Sequence, residues 1–278
     1  MSLEPEDFEL ELPHTWPAQV RGLLEEGRET LIAYQRERER IDVLGRTDVW
    51  ARMDPPVNPY RTDYDAVVAC AETLLHGHRM VGYHCTRLTA SEVGQIHREG
   101  LRALSADLVR DRFQALVGSG EMTAERCRFF LDHPMLRARL FDCHGARAGL
   151  VWLCPNRSTL CDASGVHRFF RAWGGEAVYA GFEDDPSVFA ELRAIGMPAI
   201  VKCAVPLPVD KTYGCRAAHL LSNAVRDKIE YPEPSPAFDW SVQRDITPSE
   251  VLDVITLDDP RFDELTGYRR WEPQYRLG

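Results

Sequence analysis

Lysine is almost missing from this 278-residue chain: Lys202, Lys211 and Lys228 are the only three, and the formal net charge is -10. A chain so poor in lysine and so acidic is not built to grip nucleic acid along an extended basic face, because such binding depends on neutralising phosphates. What basic groove it could form would be made of arginine, and the arginine bias itself is read as nucleotide composition of the source genome. Long apolar runs are also missing. No stretch approaches the roughly 20 residues that a membrane-spanning helix needs, and Met1 to Leu12 is acidic without the apolar core of an export signal. A soluble, cytoplasmic protein with no membrane partner is therefore expected. The eight cysteines are scattered, with no Cys-x-x-Cys, and His76, His78, Cys143 and His144 form only loose pairs. Reduced, mostly buried thiols and no metal site are expected. Gly-x-Ser-x-Gly, His-Glu-x-x-His and Gly-x-x-x-x-Gly-Lys are all lacking. Their absence removes the common serine hydrolases, zinc proteases and phosphate-loop enzymes from consideration.

What is present is a patterned α/β chain. Val20, Leu23, Leu24, Leu31, Ile32 and Tyr34 recur at helical spacing between Trp16 and about Met53, and the charged run Arg36 to Arg40 reads as a solvated helix face. Pro55, Pro56 and Pro59 cannot continue that helix. They suggest an N-terminal helical segment with linker over 1–60 and a main domain over 61–278. Arg79 to Arg87 reads as a strand, and Thr89-Ala-Ser-Glu92 as a capping box opening a short helix that Gly100 closes, with Leu101 packing back. Ala106 to Leu140 reads as helical in two pieces, broken at Gly118-Ser-Gly120 and restarted by Thr123. Further strands are expected at Gly149 to Cys154, Glu176 to Tyr179, Ala199 to Val205 and Trp240 to Ile246, and further helices at Gly165 to Trp173 and Pro186 to Ile195. A second capping box, Thr247-Pro-Ser-Glu250, is expected to begin a last helix.

Three segments hold residues suited to binding chemistry: Tyr83-His84-Cys85-Thr86-Arg87, Trp152 with Asn156-Arg157-Ser158, and Gly174-Gly-Glu176-Ala-Val-Tyr179. The first, followed by a short helix ending in Gly100-Leu101, resembles the opening strand of the ADP-ribosyltransferase superfamily, often Tyr/Leu-His-Gly-Thr. Asp239-Trp-Ser-Val-Gln-Arg-Asp-Ile246-Thr-Pro248 is similar to that family's last strand and its tail, and Gly149-Leu-Val-Trp-Leu to the strand carrying a stacking aromatic. Arg171-Ala-Trp-Gly-Gly-Glu-Ala-Val-Tyr179 resembles a segment of the related RES-domain proteins. Together these matches span roughly Arg79 to Leu257.

The resemblance implies a split mixed β-sheet core with short helices, α/β (α+β) in class. It also implies an enzyme that consumes NAD as substrate, transferring ADP-ribose to a macromolecule, protein or nucleic acid, or hydrolysing NAD. Such enzymes in bacteria are often toxins or defence effectors, some with an inhibitory partner. On this reading His84 orients a ribose with Thr86 beside it, and Arg87 meets the pyrophosphate. Tyr179 or Trp152 stacks on nicotinamide, Arg157 and Ser158 line the cofactor side, and Asp239 or Glu176 stabilises the ribosyl cation. The sequence departs from the family at Cys85, where glycine is frequent, at Trp152, where tyrosine is usual, and at Asp239, where glutamate is usual.

Plainer assignments stand beside these. His84 could be a core histidine paired with a backbone carbonyl, and Thr86 and Arg87 could cap the following turn. Trp152 and Tyr179 could be core aromatics, Glu176 a solvated strand start and Asp239 a turn residue. Two other functions remain open: a non-catalytic nucleotide-binding module, which Asp239 in place of glutamate favours, and a nucleic-acid-modifying enzyme using the arginine-rich segment 104–139.

Overall fold

The structure is a computed structural model that describes residues 7–138, 148–161, 166–208, 220–221, 224–225 and 240–270. It is a mixed α+β protein with two compact units, one holding the described residues through Met80 together with 206–208, 220–221 and 224–225, the other holding the rest of the described residues. The division falls at Met80/Val81, past the proline segment 54–60, because the helix after those prolines packs on the helices before them.

In the first unit a two-residue strand, β1 (Asp7–Phe8), pairs in parallel with Arg79 and Met80, and the Arg79 guanidinium grips both Asp7 carboxylate oxygens at 2.5 and 2.8 Å. Helices α1 (Ala18–Glu26), α2 (Arg28–Thr47), α3 (Val49–Met53) and α4 (Arg61–Leu75) follow. Val20, Leu24, Leu31, Ala71 and Leu75 are buried, and Tyr34 stacks on Tyr64 with ring centroids 3.8 Å apart. The expected helical periodicity thus holds for α1 and the start of α2. Beyond Leu31 burial is only partial: from Ile32 through Asp63 residues are half-buried or exposed, Tyr34 being held through its ring against Tyr64.

The second unit is built around β2 (Arg79–Leu88), which begins in the first unit, and β4 (Met197–Pro206) and β6 (Val251–Thr256). Within this unit the strand order is β2-β4-β6, with β4 and β6 antiparallel from Ala199↔Thr256 to Cys203↔Val251 and a bulge at Lys202/Cys203. Almost every residue of β4 is buried, the pattern of a strand covered on both faces. A second sheet of two antiparallel strands, β3 (Val151–Leu153) and β5 (Trp240–Val242), lies against β2. Gly82 is where the two meet: a Cβ there would sit 2.9 Å from the Trp240 ring and 3.0 Å from the Leu153 side chain. The return after β3 bonds back to β2 through Tyr83 and Cys154, which exchange two backbone hydrogen bonds of 2.9 Å.

Helices α5 (Ala90–Glu99), α6 (Ala106–Ser119), α7 (Ala124–Asp132), α8 (Pro134–Arg137), α9 (Glu176–Tyr179) and α10 (Pro186–Ala194) follow, with α11 (Pro260–Thr266) after β6. The first capping box forms as expected, Thr89 Oγ1 accepting from the Glu92 amide and Glu92 accepting from the Thr89 amide. Gly100 ends α5 with φ of 82°, and a Cβ there would lie 1.9 Å from the Ile246 carbonyl oxygen. Leu101 and Ile246 are thereby drawn into a two-bond bridge.

Three expectations are corrected. Glu176 to Tyr179 is a helical turn, not a strand, because Gly175 supplies one carbonyl to the amides of both Val178 and Tyr179. The second capping box yields only a 3-10 turn, Pro248–Glu250, before β6. Val251, Val254 and Ile255 are β-branched and find ladder partners on β4, which outweighs the local helix signal. Val166–Phe170 is likewise a 3-10 turn within the expected 165–173 helix.

Candidate functional site

The middle of β2 places alternate side chains on opposite faces. Tyr83 and Cys85 enter a core shared with Ile200, Ala204, Ile255 and Phe262. His84 lies on the other face, the one that Gly82 turns toward β3 and β5. Its ring is half-buried, and Nδ1 lies 2.9 Å from the Trp152 carbonyl oxygen. A carbonyl can only accept, so Nδ1 carries the proton and Nε2 presents a lone pair. Nε2 has no hydrogen-bond partner among the described residues. Burial lowers the imidazole pKa, the carbonyl bond opposes that, and the Arg112 charge lowers it further. His84 is consequently a neutral hydrogen-bond acceptor at pH 7.

Arg112 reaches this region from α6, where its Nε donates to Glu92 Oε1 at 2.6 Å and its guanidinium covers the Trp173 ring at 4.5 Å. Glu92 also accepts from the Trp173 indole N–H at 3.0 and 3.2 Å, and from the Thr89 amide at 2.8 Å. Burial pushes its carboxyl up, yet the Arg112 charge and the hydrogen bonds prevail and hold it below the usual range. Both carboxylate oxygens are spent. Arg112 Nη2 is different: it is shielded from solvent and has no hydrogen-bond partner among the described residues. A cation with an unused donor thus sits within Coulombic reach of the His84 lone pair.

The residues singled out in the sequence fare unequally. His84 and Trp152 are brought together, through the tryptophan's backbone. Thr86 is buried, with its hydroxyl 3.4 Å from the Arg87 carbonyl oxygen. Arg87 directs Nε, Nη1 and Nη2 to the carbonyls of Ile195, Phe170 and Gly196 at 3.1, 3.0 and 2.7 Å, a clamp that joins β2 to the chain on either side of α10. Arg157 and Ser158 are exposed on the 3-10 turn Arg157–Cys161 that follows β3. Tyr179 is only 1% exposed, inside the helical core of α6, α7 and α10, with its ring edge-on to Phe189. In this conformation it offers no face to a ligand. Glu176 pairs with Arg168 at 3.5 Å. Asp239 lies outside the described residues.

Sequence reading missed Arg112, Glu92 and Trp173 as members of the cluster. Glu92 was legible only as a capping residue, and Arg112 was one arginine in a charged helix; no spacing rule joins α6 to β2. Three other arginines of 102–138 pair with carboxylates, Arg102 with Asp111, Arg110 with Asp107 and Arg126 with Glu191. An open depression of about 570 Å³ on α7, lined by Glu125, Arg128, Phe129, Asp132, His133 and Pro134, shares none of the cluster's residues. Among the described residues no group of His, Cys, Asp and Glu could hold a metal ion, and no helix is long and apolar enough to cross a membrane. Comparison with protein-family models, with curated proteins and with solved structures gives no match.

Proposed function

We propose that this protein consumes NAD, binding it at the His84 face of β2 and either transferring ADP-ribose to a macromolecular target or releasing it to water. The observation that carries the reading is the fixed tautomer of His84: Nδ1 is committed to the Trp152 carbonyl, which leaves Nε2 as an acceptor for a ribose hydroxyl. The positive charge of Arg112, which acts on His84 electrostatically, complements it and favours the anionic pyrophosphate of a dinucleotide. Cleaving the N-glycosidic bond lets nicotinamide leave with the bonding electron pair, and positive charge builds on the ribose. A nearby carboxylate stabilises that state more than the ground state. Asp239 takes this role on the family resemblance alone, and Trp152 the stacking role. Glu176, tied to Arg168, and the buried Tyr179 are the weaker assignments.

A second reading, a nucleotide-binding module without catalysis, is favoured by one feature: the carboxylate within the cluster, Glu92, has both oxygens engaged. Calorimetric titration with NAD and ADP-ribose separates the possibilities. Saturable binding that is lost in His84→Ala supports the site under both readings, and nicotinamide release decides between them. No heat with either ligand would remove both.

A further inference from the structure

Alternation along β2 sends His84 to one face and its neighbours Tyr83 and Cys85 to the other. Cys154 reaches that second face from the end of β3. It exchanges two backbone hydrogen bonds of 2.9 Å with Tyr83, so its side chain stands opposite Tyr83 and diagonal to Cys85. Cys154 packs against the core to which Cys85 belongs, and the two sulfurs lie within hydrogen-bonding reach. Their access differs. Cys85 is 8% exposed, and burial together with the Cys154 sulfur pushes its thiol well up, so it keeps its proton. Cys154 is half-buried and is the sulfur a small reagent meets first. Cys127 lies in the separate core of α6, α7 and α10, and the Cys161 thiol donates to the Leu265 carbonyl at 3.0 Å.

Diagonal neighbours on paired strands have Cα atoms about 7–8 Å apart, whereas a disulfide spans about 4.4–6.8 Å. Joining these sulfurs therefore draws the backbone at Cys154 toward Cys85. The same backbone holds the candidate site: Trp152, two residues before Cys154, offers the carbonyl that His84 Nδ1 bonds at 2.9 Å, and His84 directly precedes Cys85. A displacement of about 1 Å breaks a hydrogen bond of that length. A bridge that needs such a shift is strained and easily reduced, which suits a reversible state better than a permanent staple.

We infer that Cys85 and Cys154 are a reversible redox pair whose oxidation to a disulfide releases His84 from the Trp152 carbonyl. Hydrogen peroxide is the oxidant. The Cys154 sulfur attacks one peroxide oxygen, the O–O bond breaks, and Cys154 becomes a sulfenic acid as one water leaves. The Cys85 sulfur then attacks the Cys154 sulfur: the S–S bond forms, the S–O bond breaks, and the departing hydroxide takes up the Cys85 proton to become a second water. Two thiols are oxidised and one peroxide is reduced. The consequence for NAD rests on the function proposed above, whereas the disulfide and the release of His84 do not.

The test treats the reduced full chain with hydrogen peroxide, alkylates the remaining thiols and maps the peptides by mass spectrometry, with nitrogen-15 NMR of the His84 ring on the same samples. A peptide pair linked through Cys85 and Cys154 is expected, lost in Cys154→Ser and kept in Cys161→Ser. The Nδ1 signal is expected to lose its hydrogen-bonded position on oxidation and to recover it with dithiothreitol. Cys85→Ala, which cannot close the bridge, is expected to leave a sulfenic acid on Cys154 that dimedone traps. No link, a link from Cys154 to another cysteine, or a linked chain with unchanged His84 signals overturns the inference. NAD is expected to bind the oxidised chain about tenfold more weakly than the reduced one. No NAD binding in either state would remove the proposed function, while the linked peptides and the His84 signals would still decide the redox pair.

Discussion

Replacing Glu92 by alanine strands three donors at once. The Trp173 indole, almost fully buried, and the Thr89 amide lose their acceptor, and Arg112 loses its counter-ion. A buried donor left unsatisfied costs about 1–3 kcal/mol, and removing one partner of a buried ion pair about 3–5 kcal/mol. These costs overlap, and the Arg112 side chain is 20% exposed, so water recovers part of the loss. The expected net loss is about 4 kcal/mol for Glu92→Ala and about 2 kcal/mol for Glu92→Gln, which keeps an acceptor for the indole. Urea unfolding followed by circular dichroism and tryptophan fluorescence measures both, read as a fall in the midpoint at constant m. Acid should act in the same direction. The folded-state pKa of Glu92 lies below its unfolded value, so its stabilisation is complete above the unfolded pKa and is lost as pH falls through the folded one. A Glu92→Ala loss under about 1 kcal/mol, or an acid-unfolding profile identical to the wild type, would refute the view that this pair anchors the site.

Other outcomes follow from the same geometry. In Gly100→Ala the new methyl would meet the Ile246 carbonyl and occupy a left-handed backbone, so a stability loss of about 3 kcal/mol or more is expected in thermal melts. Arg87→Met removes three bonds to backbone carbonyls, with an expected cost of about 3 kcal/mol and no selective effect on nucleotide binding; a binding loss without destabilisation would return Arg87 to the ligand. Nitrogen-15 NMR should show His84 as the Nδ1–H tautomer, titrating below the ordinary histidine range, and Arg112→Met should move that titration upward. The sign for stability is fixed by the lowered pKa. Below the unfolded value the unfolded chain takes up the proton first, so this residue destabilises the fold as pH falls toward its folded pKa.

Much of the architecture was legible wherever a local signal and the tertiary environment agree. The strand Arg79–Leu88, the capping box at Thr89, the break at Gly120 and the restart at Thr123 are each set by residues within a few positions of one another. The misread elements are those where distant partners decide. Val251–Thr256 is a strand because β4 offers it a ladder, although Thr247–Glu250 spells a helix start. Glu176–Tyr179, three less polar residues after a glutamate, is short enough for either form, and the paired glycines before it bend the chain into a turn. The site follows the same rule. His84 stood out by its place on an apolar strand, whereas the group that tunes it, Arg112, comes from a helix more than twenty residues away. Tyr179 was chosen for its chemistry, and its burial among Phe182, Val188 and Leu192 could be known only from the packing.

Release of nicotinamide from NAD, followed chromatographically for the wild type, His84→Ala and Asp239→Ala with and without cell extract, tests the central claim most directly. The account predicts release by the wild type that is abolished by His84→Ala and strongly reduced by Asp239→Ala. Equal release by wild type and His84→Ala would contradict it, as would no release under any condition from a wild-type protein whose melting temperature NAD leaves unchanged.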